Sequence, residues 1–208
     1  LGVLDQALKL GAKVTGLEGQ LPNKRLLVNS HYQQAGKDFY GLGIHRATLC
    51  HVLTEKLAEY PSHVTWRMGH TIDQIQETTN EVRLVGTSQQ QQFGDCFDAV
   101  LIANGARSQL RPKAWVKVDQ AYPWGAAWTI VPECLSLDTE ILHQFYDRSK
   151  IMMGILPTGA IPNAPQQRLS SVFWSIPTAQ FAAWGRQPAQ IAAWIASVGQ
   201  YWPDAAEW

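Results

Sequence analysis

Phe97-Asp98-Ala99-Val100-Leu101-Ile102-Ala103 is a nearly continuous apolar run that stops at Asn104-Gly105. An apolar stretch of strand length closed by a tight-turn dipeptide predicts a strand buried on both faces. Such a strand needs a covering layer on each side, which points to an α/β architecture. The upstream sequence supplies a helix. From Arg46, apolar residues recur at Leu49, Val52, Leu53 and Leu57, and Pro61 ends the pattern at Tyr60. Val64 to Trp66, Ile72 to Glu77 and Glu81 to Val85 read as strands, with Gln89 to Gln92 as a hairpin turn.

The rest of the chain is less regular. Leu1, Leu4 and Leu8 recur at helical spacing, with Gly11 as a stop. Leu26 to Val28 reads as a strand whose partner is His31 to Gln34, and Gly36 to Gly43 as a loop. After Arg111-Pro112 the character changes: Trp115 to Val118, Ala126 to Val131, Ile151 to Leu156 and Leu169 to Ser175 look like strands joined by Pro- and Gly-rich turns. Pro177 to Trp184 and Pro188 to Val198 look helical. In the second, Ile191, Trp194, Ile195 and Val198 form one packing face.

Composition narrows the partners. Formal net charge is +0, so no basic face is implied and nucleic acid is not the expected partner. No apolar run approaches the roughly 20 residues of a membrane span. Cys50, Cys96 and Cys134 are scattered without a CxxC, which gives no zinc site and suggests reduced thiols in a cytoplasmic protein. The histidines share no ligand spacing, so no metal is expected. Charged residues are 16% of the chain and Trp numbers 9, a balance that suits extensive buried or interface surface.

Two segments could carry chemistry. Gly41-Leu42-Gly43-Ile44-His45-Arg46 brings a glycine-rich loop to a helix start. Free backbone N–H groups and the guanidinium fork of Arg46 suit an anionic or polar cofactor edge. The sixth position is Arg46, so this is not the G-x-G-x-x-G dinucleotide fingerprint. A solvated arginine at a helix start explains Arg46 equally well. The second segment is Asn104-Gly105-Ala106-Arg107-Ser108-Gln109-Leu110-Arg111, a polar bend at the carboxyl end of the apolar run. Ligands of open α/β sheets sit there, although an ordinary Asn-Gly turn would look the same. Trp115, Trp124, Trp128 and Trp174 could line an aromatic pocket or serve as core anchors.

Taken together, the two segments resemble class A FAD-dependent aromatic monooxygenases, the para-hydroxybenzoate-hydroxylase-like family that includes ubiquinone-biosynthesis hydroxylases. Gly43-Ile44-His45-Arg46-Ala47-Thr48-Leu49, with Leu53, matches G-I-H-R-x-x-L-x-x-x-L. Ala103, Gly105, Ser108 and Arg111 match V-x-A-D-G-x-x-S-x-x-R, with Asn104 in place of the family's Asp. Tyr122-Pro123-Trp124, Trp128 and Phe173-Trp174-Ser175 resemble the substrate-domain part more loosely.

The resemblance implies FAD as cofactor, NAD(P)H as co-substrate and hydroxylation of an aromatic or similar electron-rich small molecule. It implies Arg46, Asn104 and Gly105 as cofactor-binding residues and Trp124, Trp128 and Trp174 as substrate-pocket candidates. Catalytic residues are not assigned. A flavin-dependent halogenase, or a binding protein on a decayed flavoprotein scaffold, is the alternative. Asn104 keeps hydrogen bonding but loses the charge of the family Asp.

The implied fold is α/β (α+β). A partial FAD-binding domain with a mixed sheet spans 1–112, and an incomplete, mostly antiparallel substrate domain spans 113–208, with 26–40 as a candidate addition to the second sheet. Neither a G-x-G-x-x-G nor a G-D-A-A-H-like segment occurs, so the chain is expected to be an internal fragment that is inactive alone. Unpaired edges are expected to promote a homodimer.

Overall fold

The computed structural model describes residues 2–185 and 187–208. In chain order the elements are α1 (Leu4–Leu10), β1 (Ala12–Val14), β2 (Gly16–Gln20), β3 (Leu26–His31), β4 (Gly41–Gly43) and α2 (Arg46–Ala58), then β5 (His70–Glu77), β6 (Val82–Ser88) and β7 (Gln91–Phe97). They continue with β8 (Trp124–Pro132), β9 (Ile141–Asp147), β10 (Ile151–Ile161), β11 (Ala164–Pro177), α3 (Pro188–Tyr201) and α4 (Pro203–Glu207). The chain is mixed α/β. It divides into two compact units, Leu1–Tyr60 with Tyr122–Trp208, and Pro61–Ala121.

The larger unit is built on a six-stranded sheet in the order β3-β2-β9-β10-β11-β8. Its joining step is a parallel ladder between β2 and β9, from Gly16↔Ile141 to Gln20↔Phe145. That ladder carries residues 26–31 into the same sheet as β8 to β11. Leu26–His31 is a single strand paired to β2, not to the expected 31–34 segment, which forms a 3₁₀ turn. The expected 36–43 loop ends in β4, which pairs antiparallel with β1.

Along β9, Ile141, His143 and Phe145 are buried while the residues between them are half-buried, the alternation of a sheet covered more fully on one side. Cross-strand partners share a face, so Phe145, Met153 and Trp174 point together. With Ile155 and Val172 they meet Val198 of α3 and Trp202 in one core. Phe145 and Trp202 stack at 4.5 Å between centroids, an arrangement that adds about 0.5–1.5 kcal/mol beyond its buried area. The predicted α3 face is partly correct: Val198 is buried and Trp194 packs on the core, but Ile191 and Ile195 are exposed. Pro177 to Trp184 is not a helix but a 3₁₀ turn followed by turns.

The smaller unit is an antiparallel meander, β5-β6-β7. Gln89 and Gln90 both take positive φ (50° and 66°) between the paired residues Ser88 and Gln91, which makes the expected Gln-run hairpin a two-residue turn of the primed kind. The predicted strand over 97–103 does not form. β7 ends at Phe97, and residues 98–103 have no ladder partner among the described residues; Leu101 is 94% exposed. An apolar run becomes a buried strand only where neighbours pair with it on both edges, and none does so here. Val64 to Trp66 and Trp115 to Val118 likewise remain unpaired, and a 3₁₀ turn occupies Lys113–Trp115. Among the described residues, no helix is long and apolar enough to cross a membrane.

The Tyr201 hydroxyl of α3 donates to Asp147 Oδ2 of β9 at 3.0 Å. Burial raises the phenol above its ordinary value, and the hydrogen bond and charge of Asp147 raise it further. The folded state thus favours the neutral phenol. Its contribution is complete below the ordinary tyrosine value of about 10 and is lost as pH rises through the folded value. Urea midpoints measured from about pH 8 to about pH 11 should fall over the upper part of that range, and Tyr201→Phe should flatten the fall.

Candidate functional site

The head of α2 is stitched to β10. Gly43 lies so close to β10 that a Cβ there would stand 1.9 Å from Pro157 O, so only glycine lets β4 lie against that strand. The His45 N–H donates to Thr158 O at 3.0 Å. Thr48, fully buried, donates from Oγ1 to Ala160 O at 2.9 Å. His45 also caps the helix: its backbone is extended, and its Nδ1 accepts from the Ala47 N–H at 3.1 Å.

Arg46 follows the cap. It is exposed and makes no hydrogen bond or ion pair among the described residues. The first turn of α2 carries no acidic residue, and the N–H groups of Arg46 and Thr48 find no acceptor among the described residues. A cation at the positive end of a helix is mildly unfavourable, by about 0.3–1 kcal/mol. An anionic or acceptor-rich group set against this turn would reverse the sign.

The polar bend lies in the smaller unit. Gly105 takes φ +85°, and the Ser108 N–H closes the turn on Gly105 O at 3.1 Å. Ser108 is buried, and its Oγ accepts from the Leu110 N–H. Arg111 donates to Ala106 O at 3.1 Å and lies 3.5 Å from Asp119. Ser108 and Arg111 therefore brace the bend, while Asn104 is exposed with no side-chain partner among the described residues. A concavity of about 650 Å³ opens beside Asn104 and Gly105, with Leu101 and Trp115 on its rim.

The tryptophans divide by strand alternation. Trp128 pairs with Phe173 and Trp124 with Pro177, so both belong to the sheet face opposite the α3 core. Trp128 is exposed. Trp124 borders a concavity of about 490 Å³ with Tyr122, Tyr146, Arg148, Met152 and Ser175. The Tyr146 hydroxyl donates to Gln144, and burial raises its phenol. Trp174 points the other way into the core, edge-on to Trp194. Tyr146 and Arg148 do not stand out in the sequence because Ile141-Leu142-His143-Gln144-Phe145 does not alternate apolar and polar residues: a histidine takes the buried middle position.

No protein-family model matches the sequence, and no curated protein sequence matches it. Solved structures do. p-Nitrophenol 4-monooxygenase PnpA from Pseudomonas putida DLL-E4 matches 96% of this chain with a TM-score of 0.73 at 16% identity, over 48% of its own length. The flavin-dependent halogenase CmlS matches 99% of the chain with a TM-score of 0.71 at 12% identity, over 37% of its length. CtdE, solved in complex with FAD and a substrate, matches 84% with a TM-score of 0.55 at 13% identity, over 42% of its length. The chain has the fold of flavin-dependent monooxygenases and halogenases. It spans less than half the length of each of these proteins.

Two substitutions probe the head of α2. His45→Ala should cost about 0.5–2 kcal/mol in chemical denaturation, and His45→Asn, which restores a capping oxygen, should recover most of it. Gly43→Ala should cost about 1–3 kcal/mol by forcing β4 from Pro157.

Proposed function

We propose that this chain is part of an FAD-dependent, NAD(P)H-using monooxygenase that hydroxylates an aromatic or similar electron-rich small molecule. The observation that carries the reading is the uncompensated Arg46 at the head of α2, set in a fold that flavin-dependent oxygenases share. FAD, when bound, supplies electron transfer and oxygen activation. The residues of this chain bind and orient. The guanidinium and the unbonded N–H of the exposed Arg46 present donors and positive charge, which fit an electron-rich edge of the cofactor. Asn104, with Gly105 keeping its own approach clear of any side chain, supplies a neutral hydrogen-bonding group. Trp124 and Trp128 offer an aromatic sheet face to the substrate and help exclude water. Trp174 supports that face from the core side.

Halogenation is the second reading, favoured by the equally full match to CmlS. Product analysis separates them: turnover with halide present yields a halogenated product in one case and only a hydroxylated one in the other.

In the whole protein, Arg46→Ala should weaken FAD binding roughly 10- to 100-fold, the range for a hydrogen bond to a charged group. Flavin fluorescence titration reads this directly. Unchanged affinity would contradict the assignment of Arg46.

A further inference from the structure

Where β8 begins and β11 ends, beside the turn from β9 to β10, a concavity of about 490 Å³ opens on the sheet. Its apolar lining comes from Trp124, Met152 and the ring of Tyr122, which is 76% exposed. The segment that carries the two rings is tied to the end of β11. Tyr122 O accepts from Thr178 Oγ1 at 3.0 Å, and Pro123 O accepts from the Thr178 N–H at 2.8 Å. Aromatic surface left open to solvent on a fixed backbone suits a planar ligand.

The charge on this lining has one sign. Arg148 is its charged residue, and no acid lines it. Arg148 is exposed and forms no ion pair and no stack on a ring among the described residues. The neighbouring acid, Asp147, belongs to the other face of the sheet, where it accepts from the Tyr201 hydroxyl. Arg148 also holds φ 54°, a left-handed conformation that glycine, asparagine or aspartate enters more easily. Backbone stability therefore does not account for an arginine at this position. Hydroxyl donors accompany it. Ser149 lines the concavity, and Ser175 Oγ, which accepts from the Met152 N–H at 2.7 Å, keeps its own hydrogen to donate.

We infer that this concavity binds an aromatic carboxylate. The ring lies against Trp124 and Tyr122, and the carboxylate meets the Arg148 guanidinium, whose planar fork matches two carboxylate oxygens. The concavity is open to solvent, so the two charges pair without full dehydration. From Met152 to Thr158, the anchor of the α2 head, β10 runs about 20 Å. The inference rests on the reading of Trp124 as a ligand contact and names the class of that ligand; it needs no flavin.

The test uses the whole protein labelled with 5-fluorotryptophan. The probe is 2-naphthoate, and 2-naphthamide, of the same shape without the charge, is the comparison. Trp124→Phe identifies the Trp124 ¹⁹F resonance, and 2-naphthoate should move it. Equilibrium dialysis should show 2-naphthoate binding roughly three- to tenfold more tightly than the amide, with the difference shrinking as salt is raised. Arg148→Gln should bring 2-naphthoate down to the affinity of 2-naphthamide and leave the amide unchanged, and Arg148→Lys should keep part of the preference. Should Arg148→Gln fail to fold, Arg148→Gly, which suits the left-handed backbone, takes its place. All of this is read with and without FAD, separately from the flavin titration of Arg46→Ala, so failure of the flavin reading and failure of this one are distinguishable. An unmoved Trp124 resonance, equal affinity for the two ligands, or a preference that survives loss of the Arg148 side chain would overturn the proposal.

Discussion

The parallel ladder between β2 and β9 holds the larger unit together. It joins residues near position 16 to residues near 141, and every other strand of the six-stranded sheet is attached through one of these two. A parallel pair cannot be closed by a tight turn, so the intervening chain must leave the sheet and return. Here the excursion contains α2 and the whole smaller unit. The entropy of closing so long a loop grows only slowly with its length, and the β9–β10–β11 hairpins, with α3 packed across them, supply the compensating burial. The α2 head depends on this ladder, because its anchors on Thr158 and Ala160 belong to the strand next to β9.

That anchoring gives the candidate site its character. A glycine admits β4 to β10, a histidine caps the helix, and a buried threonine ties the first turn down. The residue between the cap and the buried threonine's turn is a free arginine placed where the helix field disfavours it. A chain shaped by stability alone would place an acid or a neutral residue there. The larger unit therefore combines a rigid support with an unspent positive charge, which is what recognition of an electron-rich ligand requires.

Local patterns carried much of this into the sequence. Apolar spacing from Leu49 to Leu57 gave α2, and the alternations in β5, β6, β8, β10 and β11 gave strands close to those observed. Motifs that match residue by residue gave Arg46 and the Asn104 bend. What local pattern could not show was pairing. Ala12 to Gln20 has too few apolar residues to read as two strands; it becomes them because β4 and β9 lie alongside. The reverse holds for 98–103, whose composition favours a buried strand although no partner pairs with it among the described residues. Trp174 and Trp128 look alike in sequence, and only the register of β11 against β8 sends one into the core and the other to the opposite face.

The account turns on whether α2 presents its first turn to a flavin. Hydrogen exchange on the whole protein, with and without FAD, tests this most directly. The account predicts that FAD slows exchange at the exposed amide of Arg46 while Ala47, already bonded to His45, changes less. Equal exchange at Arg46 in the two states, with FAD demonstrably bound, would contradict it.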